Sequence, residues 1–197
     1  MKKICVFCGS SLGNKAIFSE KAVELAEAIC QNKMELVYGG ANVGIMKILA
    51  DRVLLGGARA IGIMPQLLVE KEVAHTNLSE MHIVESMSER KQMMIDTSDA
   101  FIAFPGGLGT LDEIGDILTL NQLRISDKPL GFLNINSFFT PLLEFIDHCV
   151  EAGFVRPEHR KNLVVADNIN DLIEGLINYK PLSTKKWIDD IKDQSQD

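Results

Sequence analysis

Short apolar runs alternate along this chain with stretches of helical periodicity, about seven times from end to end. A strand followed by a helix and then by another strand has to cross over. Crossovers within one sheet are right-handed, so the strands must lie parallel with helices on both faces. The expected fold class is therefore α/β, a Rossmann-like doubly wound parallel sheet of about seven strands whose ligand crevice lies at the strand carboxyl ends. The chain has 197 residues and 46% hydrophobic content, enough to bury such a core without disulfides or metal. No internal repeat, low-complexity tract or linker divides it. Residues 1–180 are expected to form one domain and residues 181–197 a polar, frayed tail with Trp187 as a local anchor.

The most informative unit runs from Ser98 to Gln122. Ala100 to Phe104 reads as a strand, and Leu111, Ile114 and Leu118 recur at helical spacing behind it. Between them stand Pro105, Gly106, Gly107, Leu108, Gly109 and Thr110, with almost no side-chain bulk where the first free N–H groups of the helix would point. Backbone donors and the positive end of the helix dipole would converge there, an arrangement that suits a phosphate. It is not a Walker loop, because no Gly-Lys-Ser/Thr follows. Asp112 stands where a dinucleotide fingerprint needs its third glycine, so a mononucleotide or sugar phosphate fits better. A second glycine loop, Gly39 to Met46 with Gly40 inside it, follows the strand Leu36 to Tyr38. A third small and polar loop, Gly9 and Ser10 onward to Asn14, follows the strand Lys3 to Cys8.

The first helix buries Ala22, Leu25, Ala26 and Ile29, and the second extends to about Leu55. A strand from Ala58 to Met64 ends at Pro65, and the long segment Gln66 to Glu80 reads as a loop covering a site. Met81 to Val84 is a strand, followed by a helix opening at Ser88. Further strands are expected at Pro129 to Leu133 and Leu163 to Val165, with helices from about Phe138 to Glu151 and Ile169 to Asn178.

Two features admit two readings each. Thr110-Leu111-Asp112-Glu113 matches a capping box, in which threonine and glutamate satisfy the first orphan donors of the helix. Glu113 also lies one turn from the proposed phosphate loop, within reach of whatever hangs from that phosphate. Arg90-Lys91 sits near the start of a helix, where the dipole disfavours cations. It is either a solvated pair bonded to Glu89 or Glu85, or a pair of ligand-binding cations at the carboxyl edge of the sheet.

A formal charge of −7 argues against a nucleic-acid partner. No apolar run is long enough for a membrane span, and Met1-Lys2-Lys3 leads straight into a strand, so no leader or membrane partner is expected and the protein is placed in the cytoplasm. Cys5, Cys8, Cys30 and Cys149 have no framework spacing. Cys5 and Cys8 should point to opposite faces of a strand as buried thiols, and His75, His82, His148 and His159 show no metal-ligand spacing. No cofactor or metal is expected.

Pro105 to Glu113 and Glu89-Arg90-Lys91 together resemble the PGGxGTxxE and ERK elements of the LONELY GUY (LOG) family, formerly labelled lysine decarboxylase-like. The likeness extends from Cys5–Ser11 through Tyr38–Gly40 to Gly153-Phe154. No stretch reads as a pyridoxal phosphate lysine site. The resemblance implies a hydrolase domain that cleaves the N-glycosidic bond of cytokinin riboside 5′-monophosphates or AMP, giving free base and ribose 5-phosphate, and usually a homodimer. It implies Arg90 and Glu113 as the catalytic pair, Gly106 to Asp112 as the phosphate and ribose loop, and Glu72, Lys91 and Thr119 as further substrate contacts. The chain departs from the family pattern at Ser88, where histidine is common, and at Ala41 and Lys47, where glycine is usual. A non-catalytic nucleotide sensor of the same fold is the competing reading. A carboxylate beside the phosphate loop favours the hydrolase, because holding a phosphate needs none.

Overall fold

The structure is a computed structural model that describes residues 1–71 and 73–182. Glu72 and the tail from Ser183, with Trp187, lie outside the described residues. The strands are β1 (Lys3–Phe7), β2 (Glu35–Tyr38), β3 (Ala60–Pro65), β4 (Glu80–Val84), β5 (Ala100–Ala103), β6 (Leu130–Leu133) and β7 (Val164–Ala166). They form one sheet in the order β4-β3-β2-β1-β5-β6-β7, and every pairing is parallel. This is the expected doubly wound arrangement. The order reverses between β1 and β5, the place where such sheets open a crevice.

Strand alternation assigns the two cores. Ile4, Val6 and Cys8 pack with one layer, while Cys5 and Phe7 pack with the other, so the two cysteines do point to opposite faces. The first layer is made by α1 (Ala16–Gln31), α2 (Gly44–Leu55) and α8 (Ile169–Ile177). The second is made by α4 (Met87–Thr97), α5 (Leu108–Gln122) and α6 (Thr140–Glu151). Burial of both faces explains why the central strands read as continuous apolar runs rather than alternating ones.

Strand ends differ from the sequence reading by a residue or two. Two short helices were not anticipated. The first, α3 (Gln66–Val69), interrupts the segment expected to be a loop. The second, α7 (Pro157–Lys161), starts with proline at its first position, where the missing N–H costs nothing. Helix α6 begins at Thr140 and not at Phe138. Asn136 and Ser137 lie in the left-handed region, with φ of 51° and 58°, and break the helical path before it.

Candidate active site

Helix α5 starts earlier than the sequence suggested. Its N-cap is Gly107, in an extended conformation with no side chain to offer, and Leu111 N–H already donates to the Gly107 carbonyl at 3.1 Å. The N–H groups of Leu108, Gly109 and Thr110 therefore precede the first helical bond and face the crevice end of the helix. The glycines of this loop have different duties. A Cβ on Gly106 would collide with the Thr110 hydroxyl and come within 2.8 Å of Gly9 N, so this glycine lets the loop close on itself. A Cβ on Gly107 or Gly109 would meet nothing within 4 Å, so the space above those residues is open to a ligand. The loop is fixed to its neighbour by Gly9 N–H, which donates to the Pro105 carbonyl at 3.2 Å.

This geometry overturns the capping-box reading of Thr110 and Glu113. With Gly107 as the cap, Thr110 lies inside the first turn, and Glu113 is too far along the helix to reach the orphan donors. Its side chain turns inward instead. Glu113 is only 7% exposed, and its Oε1 accepts from Arg90 Nη1 at 3.0 Å. The sequence does hold a capping motif, but one helix earlier. Ser86 Oγ accepts from Glu89 N–H at 3.1 Å, while the Glu89 carboxylate accepts from Glu85 N–H at 2.8 Å.

With Glu89 so engaged, Arg90 is not the solvated surface pair that one reading allowed. Its side chain is 11% exposed and its Nε donates to the Ile63 carbonyl at 3.2 Å. Its guanidinium lies against Gly39, where any Cβ would collide with Nη2. Burial pushes the Glu113 carboxyl up to about 7, a rise that the adjacent Arg90 charge and hydrogen bond only partly offset. The pair thus places an acid that titrates near neutrality beside a permanent cation.

Lys91 takes a different path. Its Nζ bridges Asp112 and Asp116, each at 2.9 Å, and ties α4 to α5 beside the buried pair. The hydrogen bonds it donates to Asp116 and Asp112 hold its amine above the usual lysine range.

A cavity of about 240 Å³ opens over the pair and the loop. Of the residues predicted from sequence, Gly9, Ser10, Gly39, Met46, Arg90, Gly107, Leu108, Gly109, Thr110 and Glu113 line it. Gly106 packs beneath the loop, Gly40 stands behind Gly39 at φ 76°, and Lys91 and Asp112 form the tie at the edge. Leu111 and Thr119 are not brought to it. Both are exposed on α5. Ala41, one of the departures from the family pattern, also lines the cavity, as do Cys8, Met64 and Leu68, which the sequence did not mark as site residues. Cys8 directly follows β1, Met64 is the last residue but one of β3 and Ala41 lies three residues past β2, all at the carboxyl edge where a sheet of this order opens its crevice. Burial raises the Cys8 thiol, which therefore stays protonated. On the other side of the loop a second cavity of about 290 Å³ has Phe18, Phe138 and Ile45 among its walls and no acid or base.

Known proteins resemble this chain in sequence and in fold. A protein-family model described as possible lysine decarboxylase matches residues 46–176. The probable cytokinin riboside 5′-monophosphate phosphoribohydrolase LOGL2 of Oryza sativa subsp. japonica is 42% identical over 191 residues, covering 94% of this chain and 78% of that protein. The cytokinin riboside 5′-monophosphate phosphoribohydrolase LOG1 of Arabidopsis thaliana is 41% identical over 191 residues, covering 94% of this chain and 90% of that protein. Among solved structures, the molybdenum cofactor binding protein of Rippkaea orientalis superposes with a TM-score of 0.65 at 22% identity, over 88% of this chain and 94% of that one. At that identity the likeness speaks for the fold alone.

Proposed function

This chain belongs to the LONELY GUY family of phosphoribohydrolases, enzymes that hydrolyse an N-glycosidic bond, and we propose that its substrate is AMP or an N6-substituted AMP of the cytokinin type. The observation that carries this reading is the buried Arg90–Glu113 pair, 3.0 Å apart, at the wall of a cavity whose neighbouring wall is an uncapped helix start.

The 5′-phosphate sits on the N–H groups of Leu108, Gly109 and Thr110, in the open space above Gly107 and Gly109. C1′ then lies near Glu113. Cleavage breaks the bond between C1′ and the base nitrogen, the base takes the electron pair, and positive charge builds on the ribose ring. The Glu113 carboxylate faces that charge and takes a proton from the water whose oxygen attacks C1′. One proton is taken from water and one is needed by the departing base, so the reaction consumes only water and gives free base and ribose 5-phosphate. Arg90 holds sugar or phosphate oxygens and by proximity limits the rise of the Glu113 carboxyl, so that the carboxylate forms near neutral pH.

The protein works as a cytoplasmic homodimer in this reading. Leu108 is 86% exposed and Leu111 45%, one turn apart at the start of α5, an apolar patch beside the cavity that a second copy would cover. The free cysteines suit a reducing compartment. Among the described residues no helix is long and apolar enough to cross a membrane.

The test is a panel of nucleoside 5′-monophosphates, with adenosine alongside, in which release of free base is followed by chromatography. AMP or its N6-substituted forms should release base and adenosine should not. Tight AMP binding with no base released from any monophosphate would establish the sensor reading instead.

A further inference from the structure

We infer that His75 and Asp51 form a clip that positions Arg90 for catalysis, acting through the Gly39–Asn42 loop on which the guanidinium rests. The inference depends on Arg90 and Glu113 being the catalytic pair.

Residues 73–77 form a strap that lies antiparallel to the glycine loop that follows β2. Ala41 and Ala74 form an isolated bridge, Asn42 N–H donates to the Val73 carbonyl at 2.7 Å, and His75 N–H donates to the Gly40 carbonyl at 2.9 Å. The His75 ring then locks the strap in place. Its side chain is only 4% exposed, Nδ1 accepts from Asn77 N–H at 3.2 Å, and Nε2 lies 2.9 Å from Asp51 Oδ1. Because Nδ1 receives a backbone N–H, the ring proton is assigned to Nε2, which donates to the Asp51 carboxylate.

Asp51 stands on α2 and is itself held. Lys47 Nζ is 2.8 Å from Asp51 Oδ2 and donates to Asn42 Oδ1 at 3.2 Å. Partial burial acts to raise the Asp51 carboxyl, yet the hydrogen bonds from Lys47 and His75 hold it below the ordinary range. The contacts close a ring from strap to helix to glycine loop and back to strap. Lys47, a departure from the family's usual glycine, is one of its members.

What the ring holds is the floor under Arg90. Gly39 carries no side chain because the guanidinium occupies that space, and Gly40 beside it needs φ of 76°. Arg90 has one wall from the Ile63 carbonyl, one from Glu113 and this floor. Removing the clip leaves the first two in place and frees the third. The Nη1–Oε1 geometry then loosens without any loss from the phosphate loop, which belongs to α5. His75 does not line the cavity, so it is a positioning residue and touches no substrate.

The experiment compares His75→Ala, His75→Gln and Asp51→Asn with Val53→Ala, a fully buried core change on the same helix as Asp51. All are assayed with AMP well below their melting temperatures, with Arg90→Ala as a further arm. His75→Ala should lower kcat about tenfold while KM moves less than about threefold, since a small misplacement of a catalytic group carries that order of cost. His75→Gln, which keeps a donor, should recover part of the loss, and Asp51→Asn should lie between. Val53→Ala should melt earlier and turn over normally. Should His75→Ala prove unfolded, the two milder variants carry the test. Native kcat in the clip variants, or an equal kcat loss in Val53→Ala, would overturn the clip as a positioning device. Native turnover in Arg90→Ala would instead refute the catalytic pair itself.

Discussion

Replacing Glu113 by glutamine keeps the size of the side chain and one acceptor for Arg90 while removing the charge. The rise of the carboxyl from 4.5 to about 7 means that ionising it in this site costs about 3 kcal/mol more than in water, even with Arg90 at 3.0 Å. A carboxylate so poorly solvated is poised for a cation, and the ribose ring supplies one only as the glycosidic bond breaks. If the transition state recovers that cost, the variant should lose on the order of a hundredfold in kcat, at about 1.4 kcal/mol per tenfold. AMP binding should persist, because the phosphate is held by backbone. Stability gives an independent check with a definite sign. A folded pKa above the unfolded value means that the native state holds the extra proton between about 4.5 and 7, so the native protein loses stability as pH rises through that window. Glutamine has no such slope, and the melting temperature of the variant relative to native should therefore increase from pH 5 to pH 8. Base release by chromatography, AMP titration and thermal melts at both pH values measure all three. Base release at close to the native rate would refute the assignment of Glu113 as the group facing the ribose cation.

Other outcomes follow from the same geometry. Gly107→Val should fold with a near-native melting temperature, because a Cβ there meets nothing within 4 Å, and should fail to turn over AMP because it fills the phosphate space; normal turnover would move the phosphate elsewhere. With Glu113 active as the carboxylate, kcat/KM should fall as pH drops below about 7, and a flat profile from pH 5.5 to pH 8 would count against that protonation state. Light scattering should show a dimer at micromolar concentration and a shift toward monomer in Leu111→Glu, whereas a monomeric native protein would remove the α5 interface.

The sheet was legible because its central strands are buried on both faces and stand out as apolar runs between glycine turns. The glycine loop before α5 was legible for a related reason, since three glycines in a row of four positions favour a close approach of backbone. Spacing alone could not supply pairing in space, and the pairing of Arg90 with Glu113 came only from the family resemblance. Arg90 and Glu113 lie on different helices, and nothing in the spacing of one indicates the rotamer of the other. The capping box at Thr110 failed because helix starts are set by backbone hydrogen bonds, and α5 begins through Gly107 in spite of its poor cap. The real cap at Ser86 had the same four-residue pattern and was passed over beside the conspicuous Arg90-Lys91. The strap around His75 had no periodicity to read, because its order comes from contacts with α2 and with the loop after β2.

The strand order also bears on how the protein acquires its activity during folding. Strands β1 to β4 occupy one side of the sheet and β5 to β7 the other, and the seam between them is the pairing of β1 with β5. Arg90 belongs to the helix that leaves the first half, and Glu113 to the helix that opens the second. Neither half of the chain can assemble the pair by itself. The contact that joins them spans residues nearly a hundred positions apart, as Ile4 beside Ala100 illustrates, and such nonlocal closure is slow compared with forming the local units. Recovery of turnover in a refolding experiment therefore reports the docking of the two halves, a later event than the appearance of helix.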